Sequence, residues 1–471
     1  MPTLHHAPTI LSRLFAGAAL LIAMACGGGG GKSSPPVGPS GSWGSAQILE
    51  TNLLSDSGYP QVAVDASGRA LVVWFRLSGP SGPADIWAKV YQPGTGWQPE
   101  GTIESMDGDA RYPVVAVGGD GAFSVSWQHT PTGGSGPTGI WVNRYVPGTG
   151  WSGPLQISTG STSSSAPAFA ADGAGNAIVA WHQINASGNY EVRASRYAAA
   201  SSWSAPIVLA TGASADNFNP LVAMDPDGNG MVAWNRAADV TVTTGLWTVC
   251  AWPYRAGIGW GQIPATVPSL QAGVEGVQDA YGSAVAMSSA GAVLGWTELY
   301  NGSNYRPFAR IWNPTTGVWS AAASVTGTLD AVPPEVGIDA TGKVHAAWFH
   351  YTASTWNDLY VASYSPTSGV FTVPTQPVDT LTGNIGSFAL HVNAAGSAAL
   401  VWNQMNGSLW NIYASRFESA SGWNTPSLLE TNDAGSAYVP TVRLNASGQA
   451  FATWYQLDAN SMRHIYANRW N

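Results

Sequence analysis

From residue 57 onward the apolar residues fall in short runs, each cut off by Asp, Asn, Ser or Gly, and they do not recur at helical spacing. An opening run such as PQVAVD (60–65), PVVAVG (113–118), PAFAAD (167–172), PLVAMD (220–225) or PTVRLN (440–445) is followed by a polar turn that ends in glycine. Asp65/Gly68, Asp172/Gly175, Asp225/Gly228, Asp339/Gly342, Asn393/Gly396 and Asn445/Gly448 are examples. Asp and Asn bond their own backbone at the start of a turn, and Gly supplies the positive φ that closes it. Next comes an alternating strand ending in tryptophan, ALVVW (70–74) or AIVAW (177–181). A third strand follows a loop: IWAKVY (86–91), IWVNRY (140–145), VRASRY (192–197), IYASRF (412–417), IYANRW (465–470). A GxGW-like turn then leads into a fourth.

Aligned on the second-strand tryptophan, the unit occurs eight times, at Trp74, Trp127, Trp181, Trp234, Trp296, Trp348, Trp402 and Trp454. The steps are 52 to 54 residues, apart from one of 62 that carries an insertion. Four strands in about 50 residues, with periodic aromatics, is the pattern of a β-propeller blade. β-Sandwich modules would need about 100 residues each. The expected fold is therefore all-β, an eight-bladed propeller over residues 43–471. The eighth unit has three strands and no fourth, while WGSAQILETN (43–52) is a fourth strand with no blade, nearly matching GWNTPSLLETN (422–432). The N-terminal strand is thus expected to complete blade eight, burying Trp43 and Ile48. Such a latch removes the open edges of the first and last blades.

Composition narrows the function. Only 10% of residues are charged and the net charge is -9, which argues against nucleic acid. Twenty-three tryptophans and few charges argue against disorder. The first 25 residues have the apolar core LFAGAALLIAMA (14–25) of a secretory signal peptide. AMAC (23–26) resembles the lipobox of bacterial lipoproteins, which implies cleavage before Cys26, its lipidation, and a flexible tether over residues 26–42. Gly27 after the cysteine resembles lipoproteins sent to an outer membrane, so the expected location is the cell envelope. Cys250 is then left without a partner and is expected to be a core side chain.

Candidate chemistry sits two residues beyond each repeat tryptophan, at Arg76, His129, Gln183, Arg236, Glu298, His350, Gln404 and Gln456. All are polar and differ from unit to unit. In a propeller this position opens on the face where ligands commonly enter, so the eight are candidates for a ring of ligand-binding groups. The alternative is that they cap strand ends and bond loop backbone. The less regular tryptophans Trp87, Trp141, Trp252, Trp356 and Trp410 are candidates for stacking on sugars, against a packing role. No catalytic, metal or cofactor motif is present. DPDGNG (225–230) falls on the repeat turn and lacks the glutamate of a calcium loop.

The repeat as a whole resembles that of bacterial exported and lipoprotein β-propellers. At fold level it is also similar to the outer-membrane assembly lipoprotein that scaffolds barrel insertion, and to propeller lectins. Fold does not fix function; the sequence as a whole is read as a membrane-anchored monomer that binds a glycan or an envelope protein at the propeller mouth. The alternatives are a scaffold in envelope assembly and a sialidase-like glycoside-processing enzyme. The turn loosely resembles the sialidase Asp-box, though with different spacing.

Overall fold

A computed structural model describes residues 41–79, 81–199, 201–211, 215–237, 247–261, 280–300, 304–326, 331–352, 355–430 and 434–471. The strands form eight antiparallel sheets, each running inner, second, third and outer strand in order. The inner strands are Ser57–Val64, Gly108–Val117, Ser164–Ala171, Asn217–Met224, Ala280–Ser288, Glu335–Ile338, Ile385–Val392 and Ala437–Leu444. Each inner strand touches the next and the last touches the first, so the ring is closed. This is the eight-bladed propeller that the repeat predicts.

The repeat turns form as their chemistry dictates. Asp65 Oδ1 accepts the N–H groups of Ser67 and Arg69 at 2.9 and 2.8 Å, and Gly68 sits at φ 84°. The proline that opens many inner strands marks a bulge. Tyr59, Tyr112, Ala166, Asn219 and Val439, each just before Pro, take φ of 47–53°, and the register shifts there. The second-strand tryptophans are the largest core residues, and Trp74, Trp127, Trp181, Trp296, Trp348, Trp402 and Trp454 are fully buried.

Cations bind blade to blade, most of them from the end of the third strand and one, Lys343, from the turn before the second strand Val344–Thr352. The cation of one blade lies over the aromatic of the next: Arg144 over Tyr197, Arg196 over Tyr254, Arg255 over Trp312, Lys343 over Phe417, Arg416 over Trp470 and Arg469 over Tyr91, at 4.7–5.5 Å. The last of these spans the junction between blades eight and one.

The eighth sheet confirms the shared blade. Its outer strand is Gln47–Ile48, paired antiparallel with the third strand Arg463–Trp470. Trp43 bridges Trp470, with the two rings 5.7 Å apart edge to face. Ser42 and Asn471 exchange backbone hydrogen bonds at 3.3 and 3.0 Å. One expectation is corrected: Ile48 is exposed, at 37%, and the buried residue is Leu49, at 0%. Leu49 N–H donates to Ile465 O at 2.8 Å, and this pairing turns Leu49 toward the core of blades eight and one. Trp43 is only half-buried. Cys250 is buried and free, and burial pushes its thiol up to about 11. Residues 1–25 and Cys26 lie outside the described residues, as does most of the tether.

Candidate functional site

In each blade the inner-to-second turn and the third-to-outer turn share one face of the ring. The second-to-third loop and the loop entering the next inner strand share the other, here called the mouth. The eight ring candidates stand at the mouth end of the second strand, but they do not form a ring of free polar groups. Arg76, His129, Gln183, Gln404 and Gln456 are buried, between 0 and 5% exposed. Gln183 Nε2 donates to Thr159 O and Thr162 Oγ1 at 2.8 and 3.1 Å. Gln404 Nε2 donates to Asp379 Oδ2, Leu381 O and Gly383 O at 3.0–3.2 Å. Gln456 Nε2 donates to Gly435 O at 3.1 Å. Arg76 lies 3.2 Å over Trp87 and reaches Glu100 Oε1 at 3.1 Å. Glu100 in turn accepts from Thr51 of the N-terminal segment, at 2.6 Å from its hydroxyl.

A glutamine or glutamate here has a second task. Trp181, Trp296 and Trp402 donate their indole N–H to Gln183, Glu298 and Gln404 at 3.2, 2.9 and 2.9 Å. Arg76 offers no acceptor, and Trp74 Nε1 has no protein partner. Across the strand pair, Arg76 faces Asp85, Glu298 faces Arg306 and His350 faces Asp358. Arg236 faces Thr248 and is half-buried, as are Glu298 and His350. At three of the eight positions, Gln183, Gln404 and Gln456, the side chain thus bonds loop backbone. The irregular tryptophans also pack: Trp87 lies under Arg76, Trp141 opposite Trp127, Trp252 in a blade-four core cluster, and Trp410 is 6.3 Å from Tyr438. The Trp356 side chain lies outside the described residues.

A second set of buried groups at the mouth recurs with the repeat. The acid of ILETN is one of them. Glu50, Glu104, Asp379 and Glu430 are buried, and each accepts a third-strand N–H, from Ile465, Ile86, Leu359 and Ile412 respectively. Ser158 does the same for Ile140. These carboxylates replace a backbone acceptor where the outer strand breaks off. Burial pushes Asp379 up to about 6. It also raises Glu104 and Asp85, which share a hydrogen bond, while Arg76 beside Asp85 opposes the rise.

One catalytic-looking pair is excluded by its tautomer. Ser165 Oγ lies 2.8 Å from His182 Nε2. Asn219 N–H donates to His182 Nδ1, so the proton of the neutral ring sits on Nε2 and is donated to the serine. Burial lowers His182 to about 4, which keeps the ring neutral. The serine oxygen is an acceptor here and is not activated as a nucleophile.

A cleft lies at the mouth in one of the two blades that depart from the repeat. Opposite the second-strand tryptophan, the third strand carries an aromatic in six blades: Trp87, Trp141, Phe308, Tyr360, Tyr413 and Tyr466. In blade four the position is Cys250 and in blade three it is Arg193, facing Trp181. Beside Arg193 lies a cleft of about 610 Å³. The loop Thr159–Thr162 and the loop Ile184–Ser187 form its sides, and Gln183, Glu191, Arg193 and Thr211 complete it. Arg193 Nε donates to Glu191 Oε1 at 2.6 Å, and among the described residues its guanidinium makes no other ion pair. Of the eight ring candidates only Gln183 lines this cleft. Arg193 is the residue that column-by-column comparison of the third strands would have found.

No family model matches the chain, and no curated protein matches it. Among solved structures it is similar to a protein of unknown function from Dyadobacter fermentans, at 12% identity, with 92% of this chain and 99% of that chain covered and a TM-score of 0.44. It is similar to an α-L-arabinofuranosidase from Fusarium graminearum at 11% identity, covering 91% and 97%, with a TM-score of 0.42. A Trypanosoma rangeli sialidase gives 9% identity, 93% and 60% coverage, and a TM-score of 0.42. At such identities and scores these likenesses say nothing about ligand or chemistry.

Proposed function

We propose that the chain is a lipid-anchored, extracytoplasmic binding protein whose mouth takes a glycan, with the blade-three cleft as its seat. The observation that carries this is the replacement of the repeat's aromatic by Arg193. It opens a polar cleft lined by Thr159, Ser161, Thr162, Asn185, Ser187 and Thr211 around an arginine–glutamate pair. Hydroxyls, amides and a guanidinium–carboxylate pair suit a ligand that both donates and accepts hydrogen bonds at many points. Glycoside hydrolysis draws on two carboxyl groups. Of the lining residues only Glu191 has one, and it is hydrogen-bonded to Arg193. That favours binding over turnover.

The test is isothermal titration with a panel of soluble polysaccharides. Arg193→Tyr restores the aromatic of the other blades and should fill the cleft without harm to the fold. Affinity should fall at least about ten-fold in this variant, the equivalent of losing one or two hydrogen bonds. Unchanged affinity would remove the cleft from the reading. The anchor is tested separately: Cys26→Ser should move the protein from the membrane fraction to the soluble fraction.

A further inference from the structure

The repeat also fails at the latch. In blade two the third-strand residue Asn143 is fully satisfied. Its Nδ2 donates to Ile103 O at 2.8 Å, and its Oδ1 accepts from Arg144 N–H at 2.8 Å and from Ser152 Oγ at 3.2 Å. Ser152 follows the outer-strand Trp151. That position carries a hydroxyl or amide in most blades: Gln98, Ser204, Ser320, Thr372 and Asn424. Blade four has Gly261, and its third-strand equivalent is Trp252, which carries an indole donor and no acceptor to satisfy; that N–H has no partner among the described residues either. In blade eight the equivalents are Asn468 and Gly44.

Asn468 is 2% exposed. Its Nδ2 donates to Gly44 O and Leu429 O, both at 2.9 Å, and its Oδ1 has no partner. A buried acceptor without a donor is costly. Next to it is a groove of about 470 Å³. Asn468, Arg469, Gln47 and Gly44 line one side, and Tyr91 and Trp97 of blade one line the other. Arg469 lies 4.8 Å over Tyr91, and among the described residues no carboxylate is within ion-pair distance of it. Tyr91 and Trp97 meet edge to face at 5.4 Å, and both are half-buried.

We infer that this groove is a second carbohydrate site, which takes one hydroxylated pyranose ring. A ring hydroxyl donates to Asn468 Oδ1. The Arg469 fork donates to neighbouring ring oxygens, and the Tyr91 and Trp97 rings offer apolar surface to the C–H side of the sugar. The groove lies on the turn face, opposite the mouth. It shares a ligand class with the blade-three cleft but none of its residues.

Gly44→Ser separates this role from folding. Gly44 is not among the positive-φ glycines. A Cβ built there would meet Arg469 O at 3.5 Å and Asn468 Oδ1 at 3.6 Å, ordinary contacts. The new hydroxyl would donate to Asn468 as Ser152 does to Asn143. The experiment titrates maltotriose, cellotriose, chitotriose and trigalacturonate into the wild type, Arg193→Tyr, Gly44→Ser and the double variant. The Arg193→Tyr protein should keep one saturable site for at least one of these probes. Gly44→Ser in that background should weaken it at least about ten-fold, with Tm unchanged or raised. Absence of saturable binding to Arg193→Tyr, or full binding by the double variant, would overturn the site. The residual binding of Gly44→Ser alone reports the cleft, so failure of either site is read independently of the other.

Discussion

Ring closure rests on one short strand, and the side chain that matters in it can be tested against its neighbour. Leu49 is fully buried in a cluster with Val62, Val64, Val72, Phe451, Tyr455 and Ile465, which belong to blades one and eight. Leu49→Ala removes three buried carbons from a closely packed junction and should cost about 3 kcal/mol, within the 2–5 kcal/mol range for such truncations. A cooperative unit of about 400 residues has an unfolding entropy near 0.8–0.9 kcal/mol/K, so Tm should fall by about 3–4 °C. Ile48→Ala, at an exposed position, should move Tm by less than about 1 °C. Differential scanning calorimetry on the two variants settles the order. Amide exchange should show extra opening of the third strand Arg463–Trp470 in Leu49→Ala alone. A larger loss from Ile48→Ala would mean that the strand is seated with the opposite face inward, and the latch as described would be wrong.

Two further predictions concern the same junctions. Arg416 is 1% exposed and bonds Gly448 O at 2.9 Å and Glu418 at 3.2 Å under Trp470, so Arg416→Ala should cost about 2–4 kcal/mol by denaturant melting. Arg469→Ala, which loses mainly the stack on Tyr91, should cost about 0.5–1 kcal/mol. For pH, burial lowers His182, His345 and His391 to about 4, 4 and 3, so stability is present above the ordinary histidine value and lost as pH falls from about 6.5 toward 4. His464, raised by the Glu50 carboxylate of the latch 3.6 Å from its Nδ1, has the opposite sign: its contribution is full below about 6.5 and lost as pH rises through the raised value. Wild-type and His464→Gln melting curves should therefore converge toward high pH, and divergence there would refute the assignment.

The blade count and the closure were legible because they depend on period-2 strands and on Asp and Gly at fixed turn positions, which are local features. The face presented by the latch strand was not. Gln47–Ile48 is only two residues long, and Ile48-Leu49 offers two apolar side chains in a row, so no alternation marks which is inward. Pairing of Leu49 N–H with Ile465 O decides it. The eight mouth residues show a related limit. Residue type says that Gln183 and Gln404 need hydrogen bonds, but not from what. Their partners, Thr159 O and Gly383 O, lie in loops with no sequence pattern. The bond from Trp181 to Gln183 was available in principle, since the two side chains share a face at a spacing of two. Arg193 was equally visible, as VRASRY differs from IWVNRY in the column that faces the tryptophan.

The two departures, Arg193 and Gly44, have the same physical form. Gly44 has no side chain where most blades have a hydroxyl or amide, Arg193 has a guanidinium where six blades have an aromatic ring, and each has hydrogen-bonding capacity beside a cavity. Each is also reversible by one substitution that copies a neighbouring blade. If the repeat served packing alone, tyrosine at 193 and serine at 44 would be improvements, filling space and satisfying Asn468. A chain that keeps less stable residues at those two places would trade stability for something else. Drift and function then differ in what the two reversions do. Under drift both raise Tm and nothing is lost. Under function the gain in Tm comes together with a loss of ligand, each at its own site. The decisive measurement is therefore Tm and sugar affinity on the same four proteins.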